Sequence, residues 1–114
     1  MATIEDLEGL QEGISASIQT LLQAYDQCAD PVESATIMVQ TRQLAAQMSQ
    51  IETSLFHKQT LRAGPVIDQA FASAKGFIAQ LKNLAGRFDR MEGIIATGAK
   101  LVGAVTPIVS CLTV

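Results

Sequence analysis

Apolar side chains recur along this chain at the three- and four-residue steps of α-helices. In the first segment Ile4, Leu7, Ile14, Ile18, Leu21, Tyr25 and Cys28 fall on one seam, with Gln11 as its polar exception. Such steps stack side chains on a single helix face, and the spacing predicts a first helix over about 3–29. Thr3 is placed to cap its first turn, with Glu5 and Asp6 at the positive end of the helix dipole. Asp30-Pro31-Val32-Glu33 then opens a second helix: Asp30 as N-cap, Pro31 where no amide is needed, Glu33 completing a capping box. Its seam is Ile37, Thr41, Leu44, Met48, Ile51 and Leu55, and Ala63-Gly64-Pro65 should end it, giving a range of about 30–63. Two long helices joined by so short a turn lie antiparallel.

Beyond Pro65 the repeat is the most regular in the chain. Ile67, Ala74, Leu81, Phe88, Ile95 and Val102 stand seven apart, interleaved with Ala70, Phe77, Leu84, Met91, Gly98 and Val105. Two complete seams predict one helix over about 65–105, roughly 60 Å long at 1.5 Å per residue. Phe71, Ile78 and Ala85 widen the stripe, so this helix should have more than one neighbour. Gly86, Gly93 and Gly98 are places where it could break, and Pro107 should end or kink it. The expected fold is therefore all-α and bundle-like: one domain over 1–114, with an antiparallel helical hairpin, a long third helix and an apolar C-terminal tail.

That tail, residues 93–114, carries one charged side chain, Lys100, among Ile, Val, Leu, Ala, Gly and Thr. It must be buried in a core, docked on another subunit or placed in a bilayer. Residues 94–114 are long enough to span a membrane, and Ala99 with Gly103 makes a small-xxx-small step suited to close helix contact. Lys100 near the middle of a span would cost about 2.5–3.5 kcal/mol, roughly cancelling the gain from the Ile, Leu and Val residues around it. Packing against protein is the preferred expectation. The residues expected to carry assembly or membrane contact are Phe77, Leu81, Leu84, Phe88, Ile95, Ala99, Lys100, Val102, Gly103 and Val105.

Charge changes the picture modestly. A net charge of −3 and a lack of clustered Lys and Arg argue against nucleic acid as a partner. Its distribution is uneven: the seven acids Glu5, Asp6, Glu8, Glu12, Asp26, Asp30 and Glu33 precede the first basic residue, Arg42. In an antiparallel hairpin the leading acids would approach Lys58 and Arg62, so part of this split should be satisfied internally.

Candidate chemistry is sparse. Cys28 and Cys111 form no CxxC, so they read as two buried thiols rather than as a metal or redox pair. His57, the sole histidine, lies off the apolar seam beside Lys58 and reads as a surface residue. Nucleophilic catalysis needs an activated Ser or Cys with an oriented base, and nothing here supplies that constellation. Glu5, Glu8 and Glu12 are explained by the helix dipole, and no ExxH motif accompanies them to suggest a di-iron bundle. The expectation is a protein without catalytic residues, cofactor, metal or small-molecule substrate. Early acids and spaced apolar residues do not make a cleavable signal, which points to a cytoplasmic protein or one exported without such a signal, with membrane association open.

The function these features predict is that of a non-enzymatic, self-associating helical subunit, a homo-oligomer or filament packed through the third helix and tail. The first alternative is a small membrane-active or pore-forming protein inserting residues 94–114. The second is a helical chaperone or adaptor, or a secretion-apparatus subunit. The Asp30-Pro31 turn resembles that of the short helical hairpins in needle subunits of bacterial secretion systems, a plan in which the third segment has no counterpart, so no family follows from it.

Overall fold

The computed structural model describes residues 4–57 and 65–112 of the chain. Four α-helices account for nearly all of them: α1 (Ile4–Gln27), α2 (Pro31–Phe56), α3 (Pro65–Leu84) and α4 (Met91–Leu112), with a short 3-10 turn at Phe88–Arg90. The helices pair as two antiparallel hairpins, α1 with α2 and α3 with α4. The hairpins lie side by side so that α1 packs on α3 and α2 on α4. Gln40 and Gln47 of α2 bond to the carbonyls of Ile95 and Val102, an equal seven-residue advance on both helices, so α2 and α4 run parallel.

The turn between α1 and α2 forms as its residue types dictate. Asp30 stays extended, and its carboxylate accepts from the amides of Val32 and Glu33 at 2.8 and 3.2 Å while Pro31 occupies the first turn. The second helix is shorter than 30–63: α2 ends at Phe56, with His57 as its C-cap donating to the carbonyl of Thr53. The leading residue Thr3 and the pair Lys58 and Arg62 lie outside the described residues.

The expected third helix over 65–105 is instead two antiparallel helices. The backbone of Gly86 takes φ +81°, the left-handed region where a side chain is strained, and the chain turns back there. The amides of Ala85 and Arg87 donate to the carbonyls of Lys82 and Leu84, closing the end of α3. The apolar register slips by one residue across this turn. Leu81 is fully buried on the first side, whereas the buried series on the second is Ile94, Leu101 and Ile108, not Phe88, Ile95 and Val102. The tail is likewise helical rather than a separate element, and α4 runs through Pro107 to Leu112. A proline removes one hydrogen bond and crowds the carbonyl four residues back. That carbonyl belongs to Gly103, which is exposed, so it can tilt toward water, while the Thr106 hydroxyl donates to the Val102 carbonyl at 2.8 Å and secures the preceding turn.

The core runs through all four helices. Leu7, Ile14, Leu21, Ile37, Leu44, Ile51, Leu81, Leu101 and Val105 have no exposed surface. In α1 the buried stripe is Leu7, Leu10, Ile14, Ser17, Thr20, Leu21 and Ala24, so half of the expected seam is displaced: Ile18 is half-buried and Tyr25 exposed.

Two substitutions test this architecture. Leu101→Ala should cost about 3 kcal/mol or more, because the whole side chain is buried, while Lys100→Ala beside it should change stability little. Gly86→Ala should cost about 1–2 kcal/mol through its left-handed backbone alone. Urea unfolding followed by circular dichroism checks both, and a neutral Gly86→Ala would mean that α3 and α4 are one helix after all.

Candidate functional site

The residues expected to make contacts fall into three groups. Leu81 and Val105 are wholly inside the bundle. Phe77, Leu84, Phe88, Ile95 and Val102 are half-buried and pack against the core from its edge. Ala99, Lys100 and Gly103 are exposed on α4. The structure thus brings Ile95, Ala99, Val102 and Gly103 together along one side of α4.

Lys100 stands at the α3-facing border of that side. It lines a groove of about 340 Å³ between α3 and α4 together with Val66, Ala70, Phe77, Ala104 and Pro107. The outward face of α4 carries Ala96, Ala99, Gly103, Thr106 and Ser110, all exposed and none ionisable, with Glu92 heading the same face in the first turn of the helix. Their steps of three and four make a continuous stripe of small side chains. On α2 the exposed residues Val39, Gln43, Ala46 and Gln50 form a matching uncharged stripe, with Arg42 at its border. Gln47 and Thr106 join the two stripes by a hydrogen bond of 3.2 Å, so both belong to one side of the bundle.

Beneath this side lies an arrangement that the apolar pattern did not reveal. Gln40 is 5% exposed, and its amide nitrogen donates to the Ile95 carbonyl at 2.8 Å. Gln47 repeats the contact one heptad on, donating to the Val102 carbonyl at 3.2 Å. The oxygens of both amides are buried without a hydrogen-bond donor. The Gln40 oxygen rests on Gly98 of α4: a Cβ built on that glycine would lie 2.5 Å from it. Gly98 is thus a point where α4 must lack a side chain for α2 to dock. Gln40 and Gln47 stand seven apart in the sequence, but neither lies on the apolar seam, so hydropathy does not single them out.

The opposite side of the bundle is charged and grooved. Gly9, Glu12, Gly13, Ala16, Ser17 and Thr20 of α1 face Ile78, Lys82 and Ala85 of α3 across a groove of about 350 Å³. Ser17 and Thr20 turn their hydroxyls back to the carbonyls of Gly13 and Ala16. A Cβ on Gly13 would meet the Ile78 side chain at 2.6 Å, so here too a glycine lets the hairpins approach.

Other candidate groups are dispersed. Cys28, at the α1–α2 turn, and Cys111, on α4, are both free and half-buried, with the Cys28 thiol 3.5 Å from the Asp30 carbonyl. His57 is exposed, its ring edge-on to Phe56 at 5.3 Å. Among the described residues no group of three or more His, Cys, Asp and Glu could hold a metal ion. The segment Phe88–Leu112 is long and apolar enough to cross a bilayer by length and composition, but it spends its most apolar face, Ile94, Leu101, Val105 and Ile108, on the core. No protein-family model, curated protein or solved structure matches the chain.

The Gln40–Gly98 contact makes a prediction. Gly98→Ala should destabilise the bundle by about 1–3 kcal/mol, because the buried amide must leave the Ile95 carbonyl to make room. Gly103→Ala on the outer face of the same helix, with nothing within 4 Å, should be neutral or stabilising by up to about 1 kcal/mol. In thermal or urea unfolding, Gly98→Ala and Gln40→Ala should be non-additive; strict additivity would show that the two residues do not touch.

Proposed function

We propose that the protein is a non-enzymatic, self-associating helical subunit whose copies meet through the largely uncharged side formed by α2 and α4. The observation that carries this reading is the outward stripe of small side chains on α4, Ala96, Ala99, Gly103, Thr106 and Ser110, with its charged neighbours Glu92 and Lys100 at its N-terminal end and at its border with the α3–α4 groove. Small side chains let helix axes approach to about 8 Å, the near end of ordinary helix packing. Half-buried Ile95 and Val102 border the stripe and add apolar area to it. The exposed carboxylates Glu5, Glu8 and Glu12 all stand on α1, across the bundle, where like charges oppose a wrong docking.

Sedimentation equilibrium tests this reading. The wild type should populate a defined oligomer, and Ala99→Glu should weaken it by about a hundredfold or more, since a charge would be desolvated against its own copy. Glu12→Ala should leave it intact. An unchanged oligomer in Ala99→Glu, with helix content preserved, would remove the α2–α4 side from the interface.

A second reading draws on the length and apolarity of Phe88–Leu112: insertion into a bilayer. It requires α4 to leave the core, and Lys100 would then be the main energetic obstacle. In liposome flotation, self-association alone predicts that neither wild type nor Lys100→Leu rises with lipid. Flotation of wild type, increased by Lys100→Leu, would favour the membrane reading instead.

A further inference from the structure

The two faces that join the hairpins differ in kind from the faces within each hairpin. On the α2–α4 side two glutamines reach across, and each leaves a buried carbonyl oxygen without a donor. On the α1–α3 side the groove of about 350 Å³ interrupts the packing, and its floor carries Ser17 and Thr20 with their hydroxyls turned to their own helix. Both sides also depend on a glycine, Gly98 or Gly13, for close approach. A buried oxygen without a donor recovers a hydrogen bond as soon as water reaches it, which offsets part of the cost of baring the apolar side chains along this seam.

We infer that the bundle opens along this seam, with the α3–α4 hairpin leaving the α1–α2 hairpin as one body, and that the freed face is taken by the α3–α4 hairpin of a second copy. The occupant follows from the interface itself. Opening bares Leu21, Ile94 and Leu101, which must be covered again, and the same hairpin from another chain restores each of those contacts, including both glutamine bonds. Exchange of an identical element in this way needs no new complementarity. Eight residues, 57–64, separate the two hairpins in the sequence. This inference rests on the self-association proposed above, but not on the outer stripe, because the exchanged surfaces lie inside the bundle.

The experiment uses the full chain with Cys28→Ser and Cys111→Ser, into which Gly13→Cys and Ile78→Cys are placed singly, in separate proteins. These positions face one another across the seam on the α1–α3 side, opposite to the stripe. Mixed and oxidised, the two proteins should form a disulfide-linked heterodimer, because α3 of one chain comes to lie on α1 of the other. Adding Gln40→Leu to both replaces the whole buried amide on the far side of the bundle by apolar carbon. It removes the unpaired oxygen together with the bond to the Ile95 carbonyl, which keeps its partner within α4, and should slow the cross-link by about tenfold. A simple contact between groove surfaces would form the same disulfide at an unchanged rate with Gln40→Leu, and that result overturns the inference. So does the absence of any heterodimer. If Gly13→Cys fails to fold, Glu12→Cys mixed with Lys82→Cys, across the same groove, reads the exchange, again against Gln40→Leu. Loss of association in Ala99→Glu with cross-linking retained would keep the exchange and confine it to the interior; association with no cross-link would keep the proposed function and discard the exchange.

Discussion

The apolar face of α4 can be covered by its own chain only because the backbone turns left-handed at Gly86. Without that reversal, α4 would continue away from α3 and leave Ile94, Leu101, Val105 and Ile108 in water. With it, each of these side chains is buried, at about 1.5–3 kcal/mol apiece for full burial of residues of this size. The reversal also settles which residues remain outside. Once the large apolar side chains of α4 point inward, the opposite face beyond Glu92 is left to Ala96, Ala99, Gly103, Thr106 and Ser110.

The glutamines of α2 set how the second hairpin sits on the first. An apolar contact tolerates sliding, whereas two donors seven residues apart, matched to two carbonyls seven residues apart, fix the axial position of α4 on α2. Polar groups in helical cores specify register at a cost in stability. Here the cost is visible in the unpaired oxygens of Gln40 and Gln47 and in the glycine that Gln40 demands at position 98. The same two residues therefore define the closed bundle and weaken the seam along which it opens.

Much of this fold could be read from residue spacing. The Asp30-Pro31 start is local chemistry, and Ile37, Leu44 and Ile51 are buried as their heptad implies. The break at Gly86 was harder to see because glycine is compatible with both a continuing helix and a turn, and the seams before and after it nearly align. The slip from Leu81 to Ile94 is a single residue out of phase, and adjacent isoleucines at 94 and 95 hide it. Pro107 misled for the opposite reason: the usual penalty is softened where the crowded carbonyl faces solvent. At the candidate surface, Ala99 and Gly103 were legible as a small-xxx-small step. Gln40 and Gln47 were not, because hydropathy treats a buried amide and a solvated one alike, and only the geometry of the carbonyls opposite separates them.

The central claim is that copies associate through the side of the bundle where α2 and α4 present mostly small, uncharged side chains. It is tested most directly by backbone amide NMR over a dilution series of the isotope-labelled chain. The account predicts concentration-dependent shifts at Val39, Gln43, Ala46, Ala99, Gly103 and Thr106, with the exposed residues Glu12 and Lys75 of α1 and α3 unmoved. Shifts centred on α1 and α3, or a spectrum that does not change with concentration, would contradict it.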